Sequence, residues 1–263
     1  ATQEFKAELS FELWLAEVDQ ASVALLEARL SSSSVLADVN GSGDAYQVSM
    51  GELSCALSWS TAPIERRAER AQLCAEQVKA DHVALVKQAK GLISVQCQAS
   101  SLAQALDAHK VASASARDLK AILTLPSAGL CKTPSKPSAF RVTDFVSVTS
   151  EPMKGDDAHR VCSRGLSAFS QPELCLAMVD TSRVEVARET ALSIVDSALR
   201  GAPLTEGLEV ARGPASGILV SATRFKQHLK RATPQGALVV VNPKAKATDA
   251  GAQRALMMRF TTP

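Results

Sequence analysis

Aromatic side chains are scarce in this chain. One tyrosine, two tryptophans and seven phenylalanines make up 4% of 263 residues, thin provision for the stacking platforms that hold single-stranded nucleic acid. An excess of charge of one sign is missing too. With 29 Lys and Arg against 27 Asp and Glu, the formal net charge is +2, which argues against a surface built throughout for nucleic acid. No apolar run reaches the roughly 20 residues that span a bilayer. The opening "ATQEFKAELSFELWLAEVD" alternates with charge and lacks the continuous apolar core of a secretory signal. The six cysteines (Cys55, Cys74, Cys97, Cys131, Cys162 and Cys175) form no C-x-x-C pair, and five lie in or beside apolar stretches. A free thiol in such a place behaves as a small hydrophobe, so the expectation is a reduced, cytoplasmic chain without a disulfide framework.

Motifs that carry chemistry are equally sparse. "NGSGD" at 40–44 is Gly-rich but lacks the spacing that cradles phosphates, and reads as a turn. "GPASG" at 213–217 sets Ser216 three residues after Gly213, not two, and so misses the G-x-S-x-G elbow. His159 and Cys162 form an H-x-x-C without two further ligands at zinc spacing. Neither a metal nor a cofactor is expected.

What is present is an ordinary globular composition, 46% hydrophobic and 21% charged, long enough to bury a sizeable core. Short alternating runs interleaved with amphipathic ones predict an α+β fold, with mixed sheets and helices packed on one face. Strands are expected at "LSFELWLAEVD", at a hairpin bent near Gly51, and at "LISVQCQ", "AILTLP", "FRVTDFVSVTS" and "PELCLAMVD". Further short strands are read at "GLEVARG", "ASGILVSATRF", "GALVVVNP" and "RALMMRFTTP". Helices are expected at "QASVALLEARL", from Thr61 to about Val78, at "HVALVKQAKG" and at "SLAQALDAHKVASASARDLK". The most clearly written helix follows Ser182. Ser182 and Glu185 have capping-box spacing, Val184, Ala187, Ala191, Val195 and Ala198 make the apolar row, and Gly201 and Pro203 end it.

Three prolines within residues 126–140 mark that stretch as a linker between an N-terminal α+β unit, 1–125, and a C-terminal one, 141–263. Residues 92–125 and 173–211 both read strand, Ser-capped helix, strand, which suggests a duplicated unit.

One stretch stands apart. Arg164-Gly165-Leu166, Phe169 and Pro172-Glu173-Leu174 precede the capped helix and a turn running into "APLTEGLEV". This R-G-L-x-x-F-x-x-P-E-L pattern resembles a bacterial domain family of unknown function, most specifically over 164–210 and more loosely over 45–225. The resemblance implies a bacterial α+β protein with no established activity. Its members' association with secretion or toxin loci implies an immunity or adaptor role.

Read from the residues alone, the motif serves shape. Gly165 permits a bend, Phe169 packs, and Pro172 opens an edge strand. A chemical alternative makes Arg164 a substrate-binding guanidinium and Glu173 a general acid, with His109 acting as base on Cys97, in an enzyme of unrecognised class. The strongest basic cluster is Arg224, Lys226, His228, Lys230 and Arg231. It reads first as a solvated segment, then as a docking site for a protein partner, and only then as a phosphate contact. The leading expectation is a non-enzymatic protein that works by binding another protein.

Overall fold

The computed structural model describes residues 5–18, 24, 38–42, 45–50, 52–229, 234–243 and 249–262. The chain divides into two compact units, Ala1–Phe145 and Val146–Pro263, and its class is α+β. The expected helix at 20–30 lies outside the described residues, apart from residue 24.

The first unit runs β1 (Ala7–Leu15), β2 (Asp38–Ser42), β3 (Ala45–Met50), β4 (Leu53–Thr61), α1 (Ile64–Cys74), α2 (Ala80–Gln88), β5 (Gly91–Ala99), α3 (Leu102–Asp118), β6 (Ile122–Leu125) and β7 (Leu130–Lys132). Its sheet has the order β2-β3-β4-β5-β1-β6-β7, and every neighbouring pair is antiparallel. Asp38–Ser42, which overlaps the turn expected at 40–44, pairs with β3 as an outer strand.

Strand period two sends successive side chains to opposite faces, and both faces carry helices, not one. Phe11 stacks on His109 of α3 with ring centroids 6.1 Å apart. Trp14 points the other way and joins Ala71, Cys74, Val86, Leu92 and Ile122 among α1, α2 and the sheet. The N-cap of α3 forms as its sequence implies: Ser101 accepts from the Gln104 N–H at 3.2 Å, an arrangement worth about 1 kcal/mol. In helix α1 the apolar spacing of Ile64, Ala68, Ala71, Ala75 and Val78 predicts the buried row, and the helix is rotated from it. Ile64, Ala68 and Ala75 are exposed, and Arg67, Arg70, Ala71 and Cys74 face inward. A disulfide between Cys74 and Cys131 pins that rotation.

The same bond corrects the linker. Residues 126–128 form a single 3-10 turn, Gly129 takes φ +63°, and Leu130–Lys132 pairs with β6. Leu130–Lys132, inside the expected linker, are therefore part of the first sheet, and the division falls after Phe145.

The second unit runs β8 (Ser147–Pro152), β9 (His159–Arg164), β10 (Leu174–Val179), α4 (Val184–Leu199), β11 (Glu209–Arg212), β12 (Ala215–Ser221), α5 (Ala222–Leu229), β13 (Leu238–Val241) and α6 (Ala250–Phe260). The sheet order is β11-β12-β13-β10-β9-β8, with β10 and β13 parallel. The two strand–helix–strand stretches therefore differ in pairing. β5 and β6 flank β1, while β10 and β11 are separated by β13 and β12. Two expected strands are helical. "RALMMRF" belongs to α6, where Gln253, Leu256, Met257 and Phe260 recur at helical spacing and are buried. The end of "ASGILVSATRF" turns into α5.

Helix α4 occupies its expected span without the capping box, because residues 181–183 form a 3-10 turn and Arg183 sits at the N-cap position. Strand β10 leaves regular pairing after Leu176, where Met178 takes φ +67°. On its other side β10 pairs with β13 only at Leu174 and Cys175, and Gln253, 2% exposed, bridges the two strands beyond them. Its Nε2 donates to the carbonyls of Val240 at 2.8 Å and Ala177 at 3.4 Å, and its Oε1 accepts from the Asn242 N–H at 3.3 Å.

Candidate functional site

The Arg164–Leu174 motif is a loop closed at its base by a disulfide. Cys162 on β9 and Cys175 on β10 are register partners and are bonded to each other. Within the loop, Gly165 has φ +120° and leads into a 3-10 turn over Leu166–Phe169. That conformation suits a residue without Cβ. Glu173 holds the turn from inside. Its carboxylate accepts from the Ser163 hydroxyl at 2.6 Å, the Gly165 N–H at 2.8 Å and the Ser167 N–H at 3.3 Å. Ser163 Oγ in turn accepts from the Leu174 N–H at 2.8 Å. Leu166 and Phe169 are buried, and Arg164 is exposed. Gln171 ties the loop outward, donating to the Ala198 carbonyl and accepting from the Leu204 N–H. Gly165, Leu166, Phe169 and Glu173 of the motif thus have structural tasks.

Cys97 is no thiol. It is bonded to Cys55, its register partner across β4 and β5, and both are buried. All six cysteines are paired, which overturns the expectation of a reduced chain. Sequence missed this because no C-x-x-C spacing announces a bond between strands. Two of the three pairs become visible only once strand register is known.

His109 is 2% exposed. It lies between Phe11 and Phe145, edge-on to the latter at 5.5 Å. Its Nδ1 stands 3.8 Å from Asp144 Oδ2 without a hydrogen bond, and Asp144 is held by Lys132 at 2.7 Å. Burial pushes the imidazole below its ordinary pKa, the Asp144 carboxylate opposes that shift, and Lys132 adds to it. Of the four residues offered for a catalytic cleft, Cys97 and His109 belong to the first unit, and Arg164 and Glu173 to the second. Cys97 and Glu173 are already committed to structural bonds.

In the basic cluster, Arg224 and Lys226 are exposed on α5, with Arg224 3.9 Å from Glu206. Lys230 and Arg231 lie outside the described residues.

Sequence reading passed over a buried polar chain in the first unit. Trp14 Nε1 donates to Thr124 Oγ1 at 3.0 Å, and Thr124 donates to Glu12 Oε2 at 3.2 Å. Arg70 Nε donates to the same carboxylate at 2.8 Å. Burial tends to lower the Arg70 pKa, and the hydrogen bond and charge of Glu12 outweigh it, so the net shift is upward. The signal was Glu12 alternating with Trp14 on one strand face. Further along that face the sheet is open. Ser10, Gln47, Ser54, Gln96 and Gln98 line a shallow polar concavity of about 540 Å³.

No protein-family profile, curated protein or solved structure matches the chain. No helix among the described residues is long and apolar enough to cross a membrane.

Proposed function

We propose that this protein acts by forming a complex with another protein, in the manner of an immunity or adaptor factor, and performs no chemistry of its own. The observation that carries this reading is the commitment of the two most reactive candidates. Cys97 is consumed by a disulfide, and the Glu173 carboxylate accepts from three donors that hold its own loop. The motif that resembles a bacterial family of unknown function is, on this reading, a stabilised loop and strand entry. Full pairing of the cysteines supports an oxidising compartment as the place of action, because disulfides persist there and are rare in reducing cytosol.

The experiment is affinity recovery of the tagged, oxidised chain from its native host, followed by titration of the recombinant partner. A single stoichiometric partner that rebinds the purified chain supports the reading. A chain recovered alone that turns over a compound in a substrate screen contradicts it.

A further inference from the structure

β11 is, with β8, one of the two outer strands of its sheet. Its pairing starts where the Gly207 N–H donates to the Leu219 carbonyl and the Leu219 N–H donates to the Leu208 carbonyl. An antiparallel ladder alternates bonded and non-bonded positions. Val210 and Arg212, opposite Gly217 and Ala215, therefore bond inward, while the N–H and C=O groups of Glu209 and Ala211 point away from the sheet. Beside this edge lies a groove of about 240 Å³, lined among others by Ile194, Ser197, Ala198, Leu204, Val210 and Arg212.

The groove is smaller than the roughly 300–1,000 Å³ of small-molecule pockets, and suits one or two aliphatic side chains. Half-buried Arg212 lines it and makes no hydrogen bond or ion pair among the described residues. Glu209, three residues earlier, is likewise unpaired among them. Shortness and charged side chains blunt many natural edge strands, and β11 has four residues with Glu209 and Arg212 among them; it carries neither proline nor lysine.

We propose that β11 and this groove take an extended peptide segment of a partner protein as an added strand. An aliphatic side chain of the segment seats against Ile194 and Val210, and a carboxylate pairs with Arg212. The outward backbone groups supply affinity, the groove and the two opposite charges supply selectivity, and such strand addition is a recurring mode of peptide recognition. The inference rests on the complex-forming reading and adds its location and the partner's chemistry.

The test pans a displayed library of random heptapeptides on the oxidised full chain, then measures the synthetic consensus peptide by fluorescence anisotropy. Enriched sequences are expected to share an aliphatic and an acidic residue at fixed spacing. Ala211→Pro removes one outward N–H and should weaken binding about tenfold, as loss of a hydrogen bond implies. Arg212→Glu should switch the selected residue from acidic to basic. Should Ala211→Pro misfold, Ile194→Glu makes the same demand from the helix side of the groove.

Four outcomes overturn the proposal. One is a library without enrichment. Another is a consensus peptide whose binding ignores Ala211→Pro and Ile194→Glu. The third is a self-associated dimer of the chain that Ala211→Pro dissolves, which would give the edge to a second copy. A host partner whose affinity ignores these variants would also remove this location, while leaving complex formation standing.

Discussion

Replacing Glu173 separates the structural account of the motif from the chemical one. Its carboxylate takes three donors, two of them backbone N–H groups of the turn it encloses. Glu173→Ala leaves the Gly165 N–H, in a buried residue, without its acceptor and frees the Ser163 hydroxyl. Hydrogen bonds to a charged group contribute about 1.5–3 kcal/mol each, and a buried donor left unpaired costs about 1–3 kcal/mol. The three bonds share one side chain and are not additive, and the Ser167 N–H is exposed to water. We therefore expect a loss of about 3 kcal/mol. For a unit of this size that is about 12 °C in the melting temperature. Glu173→Gln keeps one acceptor oxygen and should lose about half as much.

Urea unfolding reads the loss, and amide exchange at Gly165 and Ser167 places it. A double-mutant cycle with Ser163→Ala isolates the shortest bond and should show coupling above 1 kcal/mol, as expected for residues in one network. Unchanged stability and exchange in Glu173→Ala would refute the reasoning. If Glu173→Gln instead kept full stability but abolished a biological activity, the general-acid reading would return.

Other perturbations test the remaining polar arrangements. Arg70→Met strands Glu12 and should cost about 2–4 kcal/mol in urea unfolding. That is less than for a fully dry pair, because Arg66 stands 3.9 Å from the same carboxylate. The double variant with Glu12→Leu should recover most of the loss, and a double variant no more stable than Arg70→Met would refute the buried-pair account. Gln253→Leu deprives two carbonyls and the Asn242 N–H of partners, with an expected loss of about 2–4 kcal/mol and faster exchange at Asn242; wild-type stability would show that the gap between β10 and β13 closes without it.

His109 gives a pH signature. Its folded-state pKa lies below the ordinary 6.5, so the unfolded chain gains its proton first as pH falls. The full contribution to stability is present above about 6.5 and is lost down through the folded-state pKa, at up to about 1.4 kcal/mol per pH unit. His109→Phe should flatten that part of the stability–pH curve relative to wild type, and an unchanged slope would count against a buried neutral imidazole.

Where the sequence was legible, local rules sufficed. The β3–β4 hairpin, the Ser101 cap of α3 and the apolar row of α4 each follow from residues within a few positions of one another. Failures came where a distant residue decides. The face of α1 depends on Cys131, 57 positions from Cys74, so a good apolar row at Ile64, Ala68 and Ala75 pointed outward. The strand read at "RALMMRF" depends on the same ambiguity of short apolar runs, resolved only when Gln253 docks between β10 and β13. The motif's bend at Gly165 and the packing of Phe169 were foreseen, but the edge strand expected at Pro172 was not found: β10 starts at Leu174 and lies between β13 and β9. The motif's staple was not foreseen, because burial and oxidation look alike for a cysteine in an apolar run.

The most direct test of the central claim is the state of the cysteines in protein purified from its host with thiols blocked at lysis. Non-reducing proteolysis and mass spectrometry should recover peptides joined at Cys55–Cys97, Cys74–Cys131 and Cys162–Cys175, with no alkylated cysteine. Alkylation of both Cys55 and Cys97, with the other two pairs intact, would return a candidate nucleophile to the first unit and contradict the account.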